Sequence, residues 1–324
     1  MTDQVSTATG KVAVNDLGRT LIHEHVLIGF PGWFMDARQP PFKRDEAMAR
    51  VVDAFQEIHG HGVRTVIDPC PMDLGRDVEF CAEVSQRTGV KLICATGVYV
   101  EAMGIPFSLK DLPVEAIAEG FIKEIEDGVA ATGIRCGVIK IATGDGHVSD
   151  YERKALTAAA MAAKATGAPL ISHTENCTCG HDQIDICTGQ GLPASHMIVG
   201  HSDGADDHPY QKSLADRGVY VGFDRFGLTM GAVSDEVRIK NLKALVDCGH
   251  IERVMVSHDN VACWLGAYNG DDPYELNKIM PNWKMTNLFE NIFPELKRMG
   301  MTQEQIDTII CENPRRYFNQ AQKH

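Results

Sequence analysis

The chain has 324 residues, of which 44% are hydrophobic and 23% charged, and a formal net charge of −13. This composition excludes a disordered chain, a collagen and a coiled coil. The negative charge argues against nucleic acid and anionic lipid as partners, because both would be repelled.

One unit recurs along the chain: a short apolar run ending in polar residues, then a stretch with helical spacing. Thr20–His25 is the first run. Val63–Asp68 is the second, followed by a helix over Asp77–Arg87. Lys91–Thr96 is the third, with an amphipathic helix at Pro113–Ala130. Gly137–Ile141 is the fourth, with an alanine-rich helix at Tyr151–Thr166. Pro169–Ser172, Met197–Gly200, Val219–Phe223 and Arg253–Ser257 complete a set of eight, separated by helices at Asp182–Gln190, Tyr210–Arg217 and Asp235–Asp247. Two further helices are expected at Thr286–Arg298 and Thr302–Cys311.

Continuously apolar strands alternating with helices predict an α/β protein with a covered parallel sheet. Eight such units predict a closed (β/α)8 barrel of the TIM type. A doubly wound sheet is the alternative, but no G-x-G-x-x-G follows a strand. No linker or low-complexity stretch divides the sequence, so a single domain is expected over residues 1–324, with a core from about 12 to 318 and a short polar N-terminal extension. No apolar run reaches the roughly 18 residues needed to cross a bilayer. Met1–Asp16 lacks the apolar segment of a secretory signal. The ten cysteines are scattered from Cys70 to Cys311, as expected of reduced thiols in a cytoplasmic protein.

Polar residues cluster at the strand ends. His23 and His25 end the first as His-Glu-His, and Lys140 lies in the fourth. His173 ends the fifth, His201 the sixth and Asp259 the eighth. The C-terminal ends of all strands in a barrel meet at one face, so these six residues converge there. Each has a plainer alternative: a hydrogen-bonded structural histidine, an Asp capping a helix, a lysine paired with a carboxylate. Together they would be a costly polar cluster without a shared role. Imidazole with carboxylate suits zinc, iron, cobalt or manganese.

The ordered set H-x-H, Lys, His, His, Asp resembles the amidohydrolase superfamily. The local words are similar to the phosphotriesterase family: Gly-Arg-Thr-Leu-Ile-His-Glu-His at 18–25, Cys-Ala-Thr-Gly-Val-Tyr at 94–99, Gly-Val-Ile-Lys-Ile-Ala at 137–142, Val-Gly-His-Ser-Asp at 199–203 and Glu-Asn-Pro-Arg-Arg-Tyr-Phe at 312–318. The resemblance implies a barrel with two divalent metal ions, zinc first and cobalt, manganese or iron as alternatives. It implies that His23, His25 and Asp259 hold the more buried ion and His173 and His201 the more exposed one. Lys140 resembles the family's carboxylated lysine, which bridges both ions; a bare ammonium there would repel two dications. The resemblance also implies a homodimer.

Two positions resemble the phosphotriesterase-like lactonases within that family. Tyr99 matches a tyrosine at their metal site. Arg225 stands where they carry arginine and where dedicated organophosphate triesterases carry a proton-relaying histidine. Plainer alternatives are a rim residue for Tyr99 and an ion pair with Asp224 or Asp203 for Arg225. Trp264, in the loop after the eighth strand, is a candidate for the wall of an acyl-chain pocket, with a surface or subunit contact as the alternative. The expected activity is metal-dependent hydrolysis of lactones, including N-acyl-homoserine lactones, with weaker phosphotriester hydrolysis. In that scheme Asp259 accepts the proton of the attacking water. The alternatives are an organophosphate, carboxylester or amide hydrolase on the same site, or a barrel that binds a ligand without catalysis. The stretch 260–283 departs from the words usual after the aspartate in the lactonases, which leaves the acyl-homoserine substrate open. Cys177, Cys179 and His181 could bind zinc, although reduced loop cysteines are the expectation.

Overall fold

The computed structural model describes residues 4–37, 41–266 and 276–321. The part of the loop after Asp259 that spans 267–275 therefore lies outside the described residues. Twelve strands are described: β1 (Gln4–Thr7), β2 (Gly10–Ala13), β3 (Arg19–Leu21), β4 (Glu24–Ile28), β5 (Val63–Asp68), β6 (Lys91–Gly97), β7 (Val138–Ala142), β8 (Leu170–His173), β9 (Met197–Val199), β10 (Tyr220–Phe223), β11 (Val254–Val256) and β12 (Asn260–Trp264). The helices are α1 (Arg44–Gly60), α2 (Val78–Thr88), α3 (Val114–Glu126), α4 (Asp150–Thr166), α5 (Gly180–Gly189), α6 (His208–Asp216), α7 (Asp235–Leu245), α8 (Leu276–Ile279), α9 (Phe293–Arg298), α10 (Gln303–Asp307) and α11 (Asn313–Ala321).

Eight strands hydrogen-bond side by side in the order β3-β5-β6-β7-β8-β9-β10-β11, every pair parallel. This is the expected barrel. Its seam is closed above β3 and β11 by their continuations: β12 runs parallel to β4, with Asn260 opposite Glu24 and Val261 opposite His25. Across the same seam the Asp259 amide donates to the His23 carbonyl at 3.0 Å.

Strand alternation sorts the apolar side chains into two layers. Ile22, Ile67, Ile93, Val138, Ile171, Ile198 and Met255 fill the barrel interior, and Tyr317 and Phe318 of α11 pack against them. Leu21, Val66, Leu92, Ile139, Leu170, Val199 and Val256 belong to the larger cluster that includes the helices. Both faces are buried, which is why the strands read as continuous apolar runs. Helix starts follow local chemistry. Asp77 caps α2 by accepting from the Phe80 amide, and Ser149 and Glu152 form a reciprocal capping box at α4.

The structure differs from the sequence reading in five places. The first run, Thr20–His25, is two strands with a break at Ile22 and His23. Residues 4–13 of the polar extension form an antiparallel hairpin, β1 with β2, whose Val5 enters the inner core. Helix α1 follows the first unit and buries Ala47, Met48, Val51, Phe55 and Ile58. Strand β12 extends the eighth unit, and α11 is an additional C-terminal helix.

Candidate metal centre

His23 sits at the break after β3, His25 in β4, Lys140 in the middle of β7 and His173 at the end of β8. His201 lies two residues past β9, and Asp259 joins β11 to β12. His201 and Asp259 adopt left-handed backbone conformations, φ +57° and +53°, a strain of about 1–3 kcal/mol each that clusters at functional sites. All six side chains meet at the barrel mouth. Asp259 Oδ1 lies 3.5 Å from His23 Nε2 and 3.2 Å from His25 Nε2, and Oδ2 lies 3.6 Å from His201 Nε2. Lys140 Nζ is 3.1 Å from His23 Nε2. The rings of His173 and His201 meet edge to face at 4.5 Å.

The outward nitrogens of three of these rings are held by carboxylates. Asp224, fully buried, accepts from His23 Nδ1 at 3.0 Å and from His201 Nδ1 at 2.9 Å. It also accepts the His201 amide at 2.7 Å. Gly222 and Gly200 leave room for it: a Cβ at Gly222 would meet Asp224 Oδ2 at 2.9 Å, and one at Gly200 at 3.1 Å. Glu175 Oε1 lies 2.7 Å from His173 Nε2, which leaves His173 Nδ1 facing the Tyr99 hydroxyl at 3.4 Å. His25 Nδ1 faces Asp68 Oδ1 at 3.6 Å. Proton-bearing nitrogens turned toward carboxylates leave lone pairs aimed inward, the arrangement seen around metal-ligating histidines.

The electrostatics of His23, His173, Asp259 and Lys140 agree with that role, although burial of His25 is outweighed by the Asp259 and Asp68 carboxylates, which raise it. Burial lowers His23 well below the ordinary histidine range, with Lys140 adding to the effect. Burial and His201 lower His173 to about 3. Neutral imidazoles are the form that binds metals. Burial would raise the Asp259 carboxyl, but His201, His23, the His25 hydrogen bond and Arg225 together hold it well below the carboxylate range. Burial depresses the Lys140 ammonium to about 8. Among the described residues no carboxylate lies within ion-pairing distance of Lys140, so the plain paired-lysine alternative is not the arrangement found. The donor set fits divalent ions: ligand atoms of His23, His201 and Asp259 lie within 4.8 Å of one another. A neighbouring group of His25, Asp68 and Cys70 is also compact, but burial pushes the Cys70 thiol up and it donates to the Leu27 and Leu74 carbonyls.

Arg225 is placed otherwise than in either ion pair named above. Its Nε donates to Asp259 Oδ2 at 3.1 Å, and its Nη1 and Nη2 reach Glu175 at 3.2 and 3.4 Å. Only its backbone amide reaches Asp203, at 3.2 Å, and Asp203 pairs instead with Arg238. Tyr99, Arg225 and Trp264 all line a cavity of about 290 Å³ over the centre, walled by Ile28, Phe30, Val261 and Met280. Trp264 packs on Phe30 with ring centroids 6.1 Å apart. Met230 and Gly231, from the loop between β10 and α7, line it too. The Cys177, Cys179 and His181 group does not form a metal site among the described residues. His181 is bound to Ser213 and Arg217, while Cys177 donates to the Ser202 carbonyl.

Three supporting carboxylates escaped the sequence reading. Asp224 and Glu175 are described above. Glu24, the middle residue of His-Glu-His, is fully buried. It accepts from Ser257 Oγ, the His258 and Asn260 amides and His258 Nδ1, and so fixes the segment that carries Asp259. A charged residue between two inward histidines was the available signal for Glu24.

The model of the phosphotriesterase family matches residues 3–318. An aryldialkylphosphatase of Saccharolobus solfataricus is 33% identical over 309 residues, spanning 94% of this chain and 96% of that protein. The structure of an organophosphorus hydrolase from Deinococcus radiodurans superimposes with a TM-score of 0.92 at 35% identity, covering 98% of this chain and 97% of that one. A mutant of a phosphotriesterase-like lactonase from the same organism gives 0.91 at 34% identity, covering 97% and 99%.

Proposed function

The chain belongs to the phosphotriesterase family of metal-dependent hydrolases, and from that premise we propose that its own substrates are lactones. The observation that carries this reading is Arg225, bonded to Asp259 and clamped from behind by Glu175. In the proposed site His23, His25 and Asp259 would hold one divalent ion and His173 and His201 a second. Lys140, carboxylated on Nζ, would supply a further anionic ligand. A neutral Lys140 amine adds to carbon dioxide, forming an N–C bond and releasing one proton. The resulting anion suits a position between two cations better than an ammonium does. When bound, the ions polarise a carbonyl or phosphoryl oxygen and acidify the attacking water; zinc, cobalt, manganese and iron all suit these donors.

The protein's own groups handle orientation and the proton. Asp259 accepts the proton of the attacking water and returns it to the ring oxygen of the substrate. In a lactone that oxygen stays tethered in the product, so the proton needs no further route. An aryl phosphotriester loses its leaving group as aryloxide, and the proton on Asp259 must then be cleared. Arg225 is always protonated and has no acceptor lone pair, so it cannot clear it. Tyr99 offers a phenolic donor at the cavity floor for the oxygen that gains charge. The apolar wall of Ile28, Phe30, Val261 and Trp264 suits an acyl chain.

The test is kcat/KM on one preparation for lactones of varied ring and chain and for one activated phosphotriester. Lactones should lead by on the order of a hundredfold, about 2.7 kcal/mol in barrier height. A phosphotriester value equal to that of every lactone would overturn the lactonase reading and leave the metal centre standing. We further propose a homodimer in the cytoplasm. All ten cysteines are free, as in a reducing compartment, and no helix among the described residues is long and apolar enough to cross a membrane. Phe34, Met35 and Phe107 are 72%, 76% and 92% exposed, and Phe34 borders a cleft shared with Ile105 and Pro106, so these apolar side chains suit a subunit contact. Light scattering on the wild type and on Phe34→Glu/Phe107→Glu tests the dimer.

A further inference from the structure

Glu175 lies two residues past the end of β8, at the start of a tightly held turn. Its carbonyl accepts from the Thr178 amide at 2.8 Å and from Thr178 Oγ1 at 2.7 Å. Asn176, Cys177 and Cys179 follow in left-handed conformations, φ +48°, +58° and +60°, which non-glycine residues adopt only where their surroundings hold them. Asn176 Nδ2 is tied to Asp145 at 2.9 Å and Cys177 Sγ to the Ser202 carbonyl at 3.3 Å. This backbone turns the Glu175 carboxylate inward, where Oε1 meets His173 Nε2 and both oxygens meet the Arg225 guanidinium.

We propose that Glu175 is a positioning residue that sets His173 and Asp259 together through one carboxylate. The inference rests on the proposed roles of His173 and Asp259 as metal ligands. It has two parts. First, the His173 Nε2–H is spent on Glu175, so the ring presents the Nδ1 lone pair to the centre. Second, both Nη groups of Arg225 are occupied by Glu175, so Arg225 touches Asp259 through Nε alone. A guanidinium free of Glu175 can turn its fork onto Asp259 and take both carboxylate oxygens, the pairing arginine favours. Glu175 thus keeps Asp259 available to a metal while leaving it braced.

Two substitutions separate the parts. Glu175→Ala removes both. Titration of the metal-free protein with cobalt(II) against a competing chelator, read by the cobalt absorption bands, should show both sites losing about tenfold or more in affinity. Glu175→Gln keeps an acceptor for His173 but opposes an amide to Arg225. Affinity at the site that uses His173 should stay within about threefold of wild type, while the site that uses Asp259 weakens about tenfold, kcat for a lactone falls about tenfold and KM changes by less than about threefold. Wild-type cobalt affinity at both sites in Glu175→Ala would overturn the first part, and an unchanged kcat in Glu175→Gln the second. If the alanine variant does not fold, the isosteric glutamine variant still decides the second part. A wild type that takes up fewer than two cobalt ions would instead refute the metal centre itself.

Discussion

Replacing Asp224 with asparagine tests whether the inward lone pairs are set from outside the centre. The carboxylate takes three hydrogen bonds: Oδ1 from the His201 amide at 2.7 Å and from His201 Nδ1 at 2.9 Å, and Oδ2 from His23 Nδ1 at 3.0 Å. Asparagine has nearly the same shape but only one acceptor oxygen. Left on the two His201 donors, that oxygen forces the amide NH2 against His23 Nδ1–H. His23 must then move its proton to Nε2, the nitrogen that lies 3.1 Å from Lys140 Nζ and 3.5 Å from Asp259, and its inward lone pair is lost. A hydrogen bond to a buried charged group contributes about 1.5–3 kcal/mol, so Asp224→Asn should weaken metal binding by roughly ten- to a hundredfold. Cobalt titration of the metal-free variant measures the affinity, and ¹⁵N shifts of the imidazoles report which nitrogen carries the proton. Wild-type affinity with His23 still protonated on Nδ1 would refute the reasoning and reduce Asp224 to a packing residue.

Chelation should abolish hydrolysis, and zinc, cobalt or manganese should restore it; a demonstrably metal-free preparation with undiminished activity would end the metal assignment. Gly97→Ala should lower stability by about 3 kcal/mol, because its Cβ would fall 1.9 Å from the Lys140 carbonyl oxygen at a residue with φ +113°. Chemical denaturation checks this, and a loss under about 1 kcal/mol would show that β6 and β7 yield more easily than the geometry implies. The metal-free protein should lose stability as pH falls from 6.5 toward 3, because His173 is lowered from 6.5 to about 3 in the fold and takes up a proton on unfolding. The depressed value makes this contribution complete above 6.5 and worth a few kcal/mol across the window. Melting curves against pH for wild type and His173→Asn should diverge there, and parallel curves would contradict it.

The alternation of apolar runs and helices was enough, by itself, to specify the barrel. Each barrel strand is buried on both faces and each covering helix on one, and both patterns are local in sequence. Val63–Asp68 appears in the structure with the predicted bounds, as β5. The barrel topology also carries the strand-end residues His23, His25, Lys140, His173, His201 and Asp259 to one mouth, because every parallel strand ends there. The four-residue β1 and β2 were less legible, since their pairing depends on contact with the inner core through Val5 rather than on a long alternating pattern. Helix α1 is legible from its stripe at Ala47, Val51, Phe55 and Ile58 but is not among the helices expected above. Partner choice was decided only by the tertiary structure. Asp224 beside Arg225 reads as a local ion pair, yet it bonds His23 and His201, 201 and 23 residues away in sequence. Arg225 turns instead to Asp259 and Glu175, 34 and 50 residues away. A carboxylate looks the same in sequence whether it caps a helix, pairs on the surface or orients an imidazole. Which of these it does depends on which donors the closed barrel brings within about 3 Å in its buried interior.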